Sequence, residues 1–95
     1  MLFTWDPVKA ELNLRKHGIS FEMAQTVFDD PLHLSILDAK RHTEERWVTM
    51  GRSADTKTLV VVHTYRVSQG DLEMVRIISA RKATRKEVRQ YEEGI

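Results

Sequence analysis

The chain contains no cysteine. Disulfides, thiolate metal sites and a cysteine nucleophile are therefore excluded. Proline and glycine are scarce, with two and four residues in 95. Both prolines follow an aspartate, at Asp6-Pro7 and Asp30-Pro31, and there they punctuate elements rather than build a linker. Repeats and low-complexity tracts are also lacking. No apolar run approaches the ~20 residues of a membrane span. The start, Met1-Leu2-Phe3-Thr4-Trp5-Asp6, has neither a basic region nor a long apolar segment, so a cytoplasmic protein without membrane contact is expected. The four histidines, at 17, 33, 42 and 63, show no His-x-x-x-His or related spacing, so neither metal nor cofactor is expected. No Gly-rich phosphate loop or nucleophile elbow is present.

What remains is ordinary in amount and uneven in placement. Hydrophobic residues make up 41% and charged residues 31%, as in soluble globular proteins. The length suits one domain over 1–95, burying roughly 60–65% of its unfolded surface. The net charge of +1 hides an asymmetry. Residues 1–38 carry six acids and three bases, whereas residues 74–91 carry six bases (Arg76, Arg81, Lys82, Arg85, Lys86, Arg89) against Glu87 alone. A basic face of this kind suits nucleic acid or an acidic partner, and charge alone does not choose between them.

The elements follow from pattern. Leu2 to Trp5 reads as a short strand. Asp6-Pro7 starts a helix that runs to about His17, where Gly18 supplies a left-handed stop. Lys9, Asn13, Lys16 and His17 share one face of that helix, as a solvated stripe or as the second wall of a cationic site. Ser20 caps a second helix whose buried side is Phe21, Ala24, Val27 and Phe28, and Asp29-Asp30-Pro31 ends it in what reads as a polar turn. Strands follow at Leu32–Asp38, Glu45–Arg52, Leu59–Arg66 and from Met74, joined by a polar connection at Lys40–Glu44, a loop at 53–57 and a turn at Ser68–Asp71. The run Leu59–Arg66 is β-branched and nearly continuous, so it should be central and covered in part on both faces. Thr84-Arg85-Lys86-Glu87 has capping-box spacing and opens a last helix over 84–93. The order β-α-α-β-β-β-β-α implies an α+β fold with a mainly antiparallel sheet, the first strand adding to one edge.

The candidate chemistry lies in arginines on strands: Arg46, Arg52, Arg66, Arg76 and Arg81. Charges inside a sheet are costly unless paired or turned to water, so several on neighbouring strands imply one cationic face. Arg76 and Arg81 differ by an odd number, so the strand must end or bulge before Arg81, or the two do different jobs. Guanidinium groups clamp phosphate and stabilise charge that builds up in a phosphodiester transition state. RNA cleavage also needs proton transfer, for which His63, Tyr65, Glu45 and the pair Lys16/His17 are candidates. A surface that only binds nucleic acid or an acidic protein would look much the same.

The stretches Trp5-Asp6-Pro7-x-Lys9-Ala10, Asn13-x-x-Lys16-His17-Gly18-Ile19-Ser20-Phe21-Glu22-x-Ala24, Val27-Phe28-x-Asp30-Pro31, Glu45-Arg46, Gly51, Val62-x-Thr64-x-Arg66 and Arg76-Ile77-Ile78-Ser79-Ala80-Arg81-x-Ala83 closely resemble the BrnT family of toxins. The resemblance runs from Phe3 to about Tyr91. It implies a RelE-like fold and a ribonuclease that halts translation as the toxin half of a bacterial type II toxin–antitoxin pair. It also implies neutralisation by a BrnA antitoxin with a ribbon-helix-helix domain, the complex reaching operator DNA through that antitoxin. The family pattern carries over at Lys9, Lys16, His17, Glu45, Arg46, Arg66, Arg76 and Arg81. His63 stands where such toxins often show Tyr, so it is not expected to be the essential base. Lys16, His17, Glu45, Arg66, Arg76 and Arg81 are the expected catalytic residues, and Lys9, Arg46, Lys82 and Arg85 the expected substrate contacts, in a metal-independent reaction.

Overall fold

A computed structural model of the chain describes residues 1–40 and 44–94. Strand β1 (Leu2–Thr4) is followed by helix α1 (Pro7–His17) and helix α2 (Phe21–Gln25), which a 3-10 turn over Thr26–Asp29 continues. Strands β2 (Leu34–Asp38), β3 (Arg46–Arg52), β4 (Thr58–Val67) and β5 (Glu73–Lys82) and helix α3 (Arg85–Glu93) complete the chain. The five strands form one sheet in the order β1-β5-β4-β3-β2. β1 runs parallel to β5, and all other neighbours are antiparallel. This is the expected α+β order, with β4 central and β1 at an edge. Of the expected connection at 40–44, Arg41, His42 and Thr43 lie outside the described residues.

The helix ends follow their caps. Asp6 accepts from the Val8 amide, Gly18 closes α1 at φ 71°, Ser20 accepts from the Met23 amide, and Thr84 with Glu87 forms the capping box of α3. Two boundaries differ from the sequence reading by more than one residue. The second helix tightens after Gln25, because the Thr26 hydroxyl donates to the Met23 carbonyl at 2.6 Å and accepts from the Ala54 amide at 2.8 Å. That side chain competes with the helical ladder and ties the turn to the loop after β3. β2 begins at Leu34 rather than Leu32, because Asp30 uses the preceding amides: its carboxylate accepts from Leu32 N–H and its carbonyl from His33 N–H.

The core lies between one sheet face and the helical segment 19–29. Val75, Ile77, Ala80, Leu59 and Val61 from the sheet meet Ile19, Phe21, Ala24 and Val27. Gly51 lets β3 pass close under the 3-10 turn, since a Cβ there would stand 2.8 Å from Val27 Cγ1 and 3.0 Å from His33 Cβ. The pairing of β4 with β5 slips at one place. Val62 is opposite Ser79 but His63 is opposite Ile77, so Ile78 is an extra residue. This bulge resolves the parity conflict. Val75, Ile77 and Ala80 are all buried, and by the same register Arg76 and Arg81 point to the opposite face.

Asn13 sets where α1 sits. Its side chain donates to the carbonyls of Ile19 and Ala80 and accepts from the Ala80 amide, at 3.0, 2.9 and 3.0 Å. β1 pairs with β5 only as far as Arg76, so the edge of β5 beyond the bulge has no strand partner there, and a side-chain amide replaces it. Asn13 shares the helix face of Lys9, Lys16 and His17, as the stripe predicted, but it is buried (7% exposed) rather than solvated.

Candidate active site

The sheet face opposite the core holds the arginines. The register aligns Thr4, Arg76 and Thr64 in one row across β1, β5 and β4, with Arg66 beside Met74 in the next. Thr4, Thr64, Arg66, Met74 and Arg76 line a cleft of about 130 Å³, closed on one side by Glu44. Arg76 donates to the Glu44 carboxylate in an exposed pair. One step beyond the Trp47–His63 pairing, Arg46 falls in the row of Thr64. Its Nε is buried without a hydrogen-bond partner among the described residues. A buried unpaired guanidinium nitrogen is costly, and Arg46 itself stands outside the residues that line the cleft.

Farther along β5, beyond the bulge, Arg81 grips Glu87 with both terminal nitrogens at 2.8 and 2.9 Å. The same carboxylate accepts from the Thr84 amide at 2.8 Å. The Arg81 bonds hold Glu87 at about 2, against the opposing effect of burial, and Glu87 in turn raises Arg81. Lys82 and Arg85 are exposed beside this pair. Between the two arginines, Lys9, Lys16 and His17 line a shallow depression of about 210 Å³ against Ile78 and Ser79. The last turn of α1 contains Arg15, Lys16 and His17, where the helix carbonyls favour cations.

The expected residues therefore fall into three groups along β5: Arg46, Arg66 and Arg76; Lys9, Lys16 and His17 over the bulge; Arg81, Lys82 and Arg85 by α3. Glu45 is exposed just before β3. The carboxylate that reaches Arg76 is Glu44, which sequence reasoning passed over as part of a polar connection. Its signal was alternation, since Glu44 stands two residues before Arg46.

A model of the "Ribonuclease toxin, BrnT, of type II toxin-antitoxin system" matches residues 5–87. The chain belongs to the BrnT family. The crystal structure of the Brucella abortus ribonuclease toxin BrnT superposes with a TM-score of 0.60 at 19% identity, covering 90% of this chain and 100% of that one. At that identity the likeness shows the fold. Among curated proteins none matches closely enough to serve as a relative.

In this BrnT chain two further candidates leave the arginine face. His63 is 3% exposed and points to the core side. Its Nδ1–H donates to the Thr64 carbonyl, its Nε2 meets the Thr49 hydroxyl at 2.6 Å, and burial lowers its pKa. Tyr65 lies on the same side, with burial and then Glu73 raising its phenol. Of the other titratable candidates, Lys16 and His17 lie in the depression over the bulge and Glu44 beside Arg76, while Glu45 is exposed before β3. Asp30, expected as a simple polar turn, joins three elements. Its carboxylate accepts from the Arg52 amide and from the Tyr91 hydroxyl on α3. Burial works against its charge, but Tyr91 and the Arg52 and Leu32 amides outweigh it and lower the pKa.

Proposed function

We propose that this BrnT-family ribonuclease toxin is a cytoplasmic, metal-independent endoribonuclease that inhibits translation and is neutralised by a BrnA-like ribbon-helix-helix antitoxin. The observation that carries the reading is the cleft of Arg66 and Arg76 with Arg46 in its row. These three cations can hold a phosphodiester and stabilise its charge without a metal. In the reaction, a base takes the proton of the ribose 2′-hydroxyl and its oxygen attacks phosphorus. The bond to the 5′-oxygen breaks, and that oxygen takes a proton. The products are a 2′,3′-cyclic phosphate and a 5′-hydroxyl. Lys16 and His17, across the face, and the carboxylates of Glu44 and Glu45 are the groups available for the two transfers. Arg81, Lys82, Arg85 and Lys9 extend the cationic track for the flanking strand.

The rival reading is a basic module that binds RNA or an acidic protein without cleaving. It draws on the carboxylates already paired with Arg76 and Arg81. Incubating purified protein with RNA in EDTA decides between them. Fragments ending in cyclic or 3′-phosphate are expected. RNA that stays intact while binding the protein would leave only the rival.

A further inference from the structure

The other sheet face carries a cavity that none of this chemistry uses. It has about 290 Å³, and Phe28, Trp47, Tyr65 and Val75 supply its apolar walls, with Ser35, His63 and Glu73 among its polar ones. The size is near the lower end for small-molecule sites. The walls suit a flat ring, because aromatic side chains are the surfaces on which unstacked RNA bases are held.

Hydrogen-bond directions in the wall can be read in sequence. The Thr64 carbonyl can only accept, so His63 Nδ1 carries the proton in that 3.0 Å bond. A neutral His63 then has only a lone pair on Nε2, and the Thr49 hydroxyl must donate to it. Thr49 has thereby used its hydrogen, so in its 2.7 Å contact with Ser35 the serine is the donor. Ser35 faces the cavity with lone pairs only. Glu73 adds a carboxylate, which has room for more than the Tyr65 phenol it already accepts from. Apart from the Trp47 indole, which can only donate, the side-chain groups whose direction is fixed accept and therefore call for a ligand that donates.

We propose that this cavity is a nucleobase subsite that selects guanine, the base whose Watson–Crick edge carries two adjacent N–H donors able to meet one carboxylate, at Glu73. The proposal rests on the RNA reading of the arginine cleft. The two sites lie back to back: Tyr65 sits between Thr64 and Arg66, and Val75 between Met74 and Arg76, all four of which line the cleft.

The test follows the indole N–H resonances of Trp47 and Trp5 by NMR, assigned with Trp5→Phe, during titration with the four nucleoside 5′-monophosphates. Ribose 5-phosphate controls for phosphate bound at the arginines. GMP should move Trp47 but not Trp5, at least about tenfold more tightly than AMP, CMP or UMP, in keeping with a site built to pair with donors. Glu73→Gln should erase that preference while leaving the melting curve unchanged. Equal response to all four nucleotides, no response to any, or selectivity that survives Glu73→Gln overturns the proposal. So does a Trp47 shift that only the antitoxin produces, which would assign the cavity to a protein partner. The EDTA cleavage assay separates the two readings. Cleavage without GMP binding removes the subsite alone, and GMP binding without cleavage removes the nuclease and leaves the subsite standing.

Discussion

Arg76 and Arg81 look alike in sequence and differ in what they touch. The Arg76–Glu44 pair is exposed, 50% and 42% by side chain, and such pairs contribute about 0–1 kcal/mol. Arg76→Ala should therefore lower RNA cleavage by ~10²–10³ and leave thermal unfolding almost unchanged. Arg81 instead anchors the capping carboxylate of α3, so Arg81→Ala should lower the melting temperature as well. If the two variants melt alike, Arg81 is not the anchor described. Glu87 gives the same pair a pH signature. Its folded value of about 2 lies below the ordinary 4.5, so its stabilisation is complete above pH 4.5 and is lost as pH falls from 4.5 to 2. Solvent screening reduces the effect to about 1–2 kcal/mol. Denaturant unfolding of wild type and Glu87→Gln should differ at pH 5 and converge near pH 2; a gap that stays constant would show that Glu87 acts through something other than its charge. Sequence named both arginines but not these partners, because Glu44 and Glu87 are set by strand direction and by a cap. Asn13 shows the same limit. Its place on α1 was legible, whereas its bonds to Ala80, 67 residues away, were not.

At the scale of elements, the order of strands and helices and most of their ends were legible, because caps and β-branched runs are local signals. The bulge was legible only as a contradiction in parity. Its position at Ile78 depends on how β5 pairs with β4, which local pattern does not contain. The bulge keeps Ala80 in the core and Arg81 out of it. Removing Ile78 would force one half of β5 to turn over, carrying Arg81 toward the buried side or lifting Val75 and Ile77 from it. The deletion variant is expected to lose cooperative unfolding and dispersed amide resonances. Ile78→Val, which keeps the extra residue, should retain both. A deletion variant that melted like wild type would show that pairing slips at little cost and that the bulge does not set the face of Arg81. Asp30 was missed for a related reason. An acidic pair before proline is a common turn, and only the approach of β3 and α3 gives its carboxylate the Arg52 amide and the Tyr91 hydroxyl.

For the whole molecule, the acidic first part and basic last part of the sequence do not become two separate surfaces. Lys9 and Lys16 of the acidic part sit against Ile78 and Ser79, extending the basic face along β5, while Asp30 spends its charge on internal bonds. The face that results runs from Arg66 and Arg76 past α1 to Arg81 and α3. An antitoxin that silences it needs to block access and cancel its field, and an acidic helical segment laid along β5 does both. Amide hydrogen exchange of the free toxin against the antitoxin complex should then show protection in residues 74–91 and in α1. The alternative is a partner that grips the segment 20–38 and acts from a distance. That segment holds the exposed Leu32, Ile36 and Leu37, at 67%, 64% and 44%, so it offers apolar area of its own. Protection confined to 20–38, with 74–91 unchanged, would remove the occlusion model. Protection over 74–91 that weakens as salt is raised would support it, because a charge-matched cover is screened by ions and an apolar one is not.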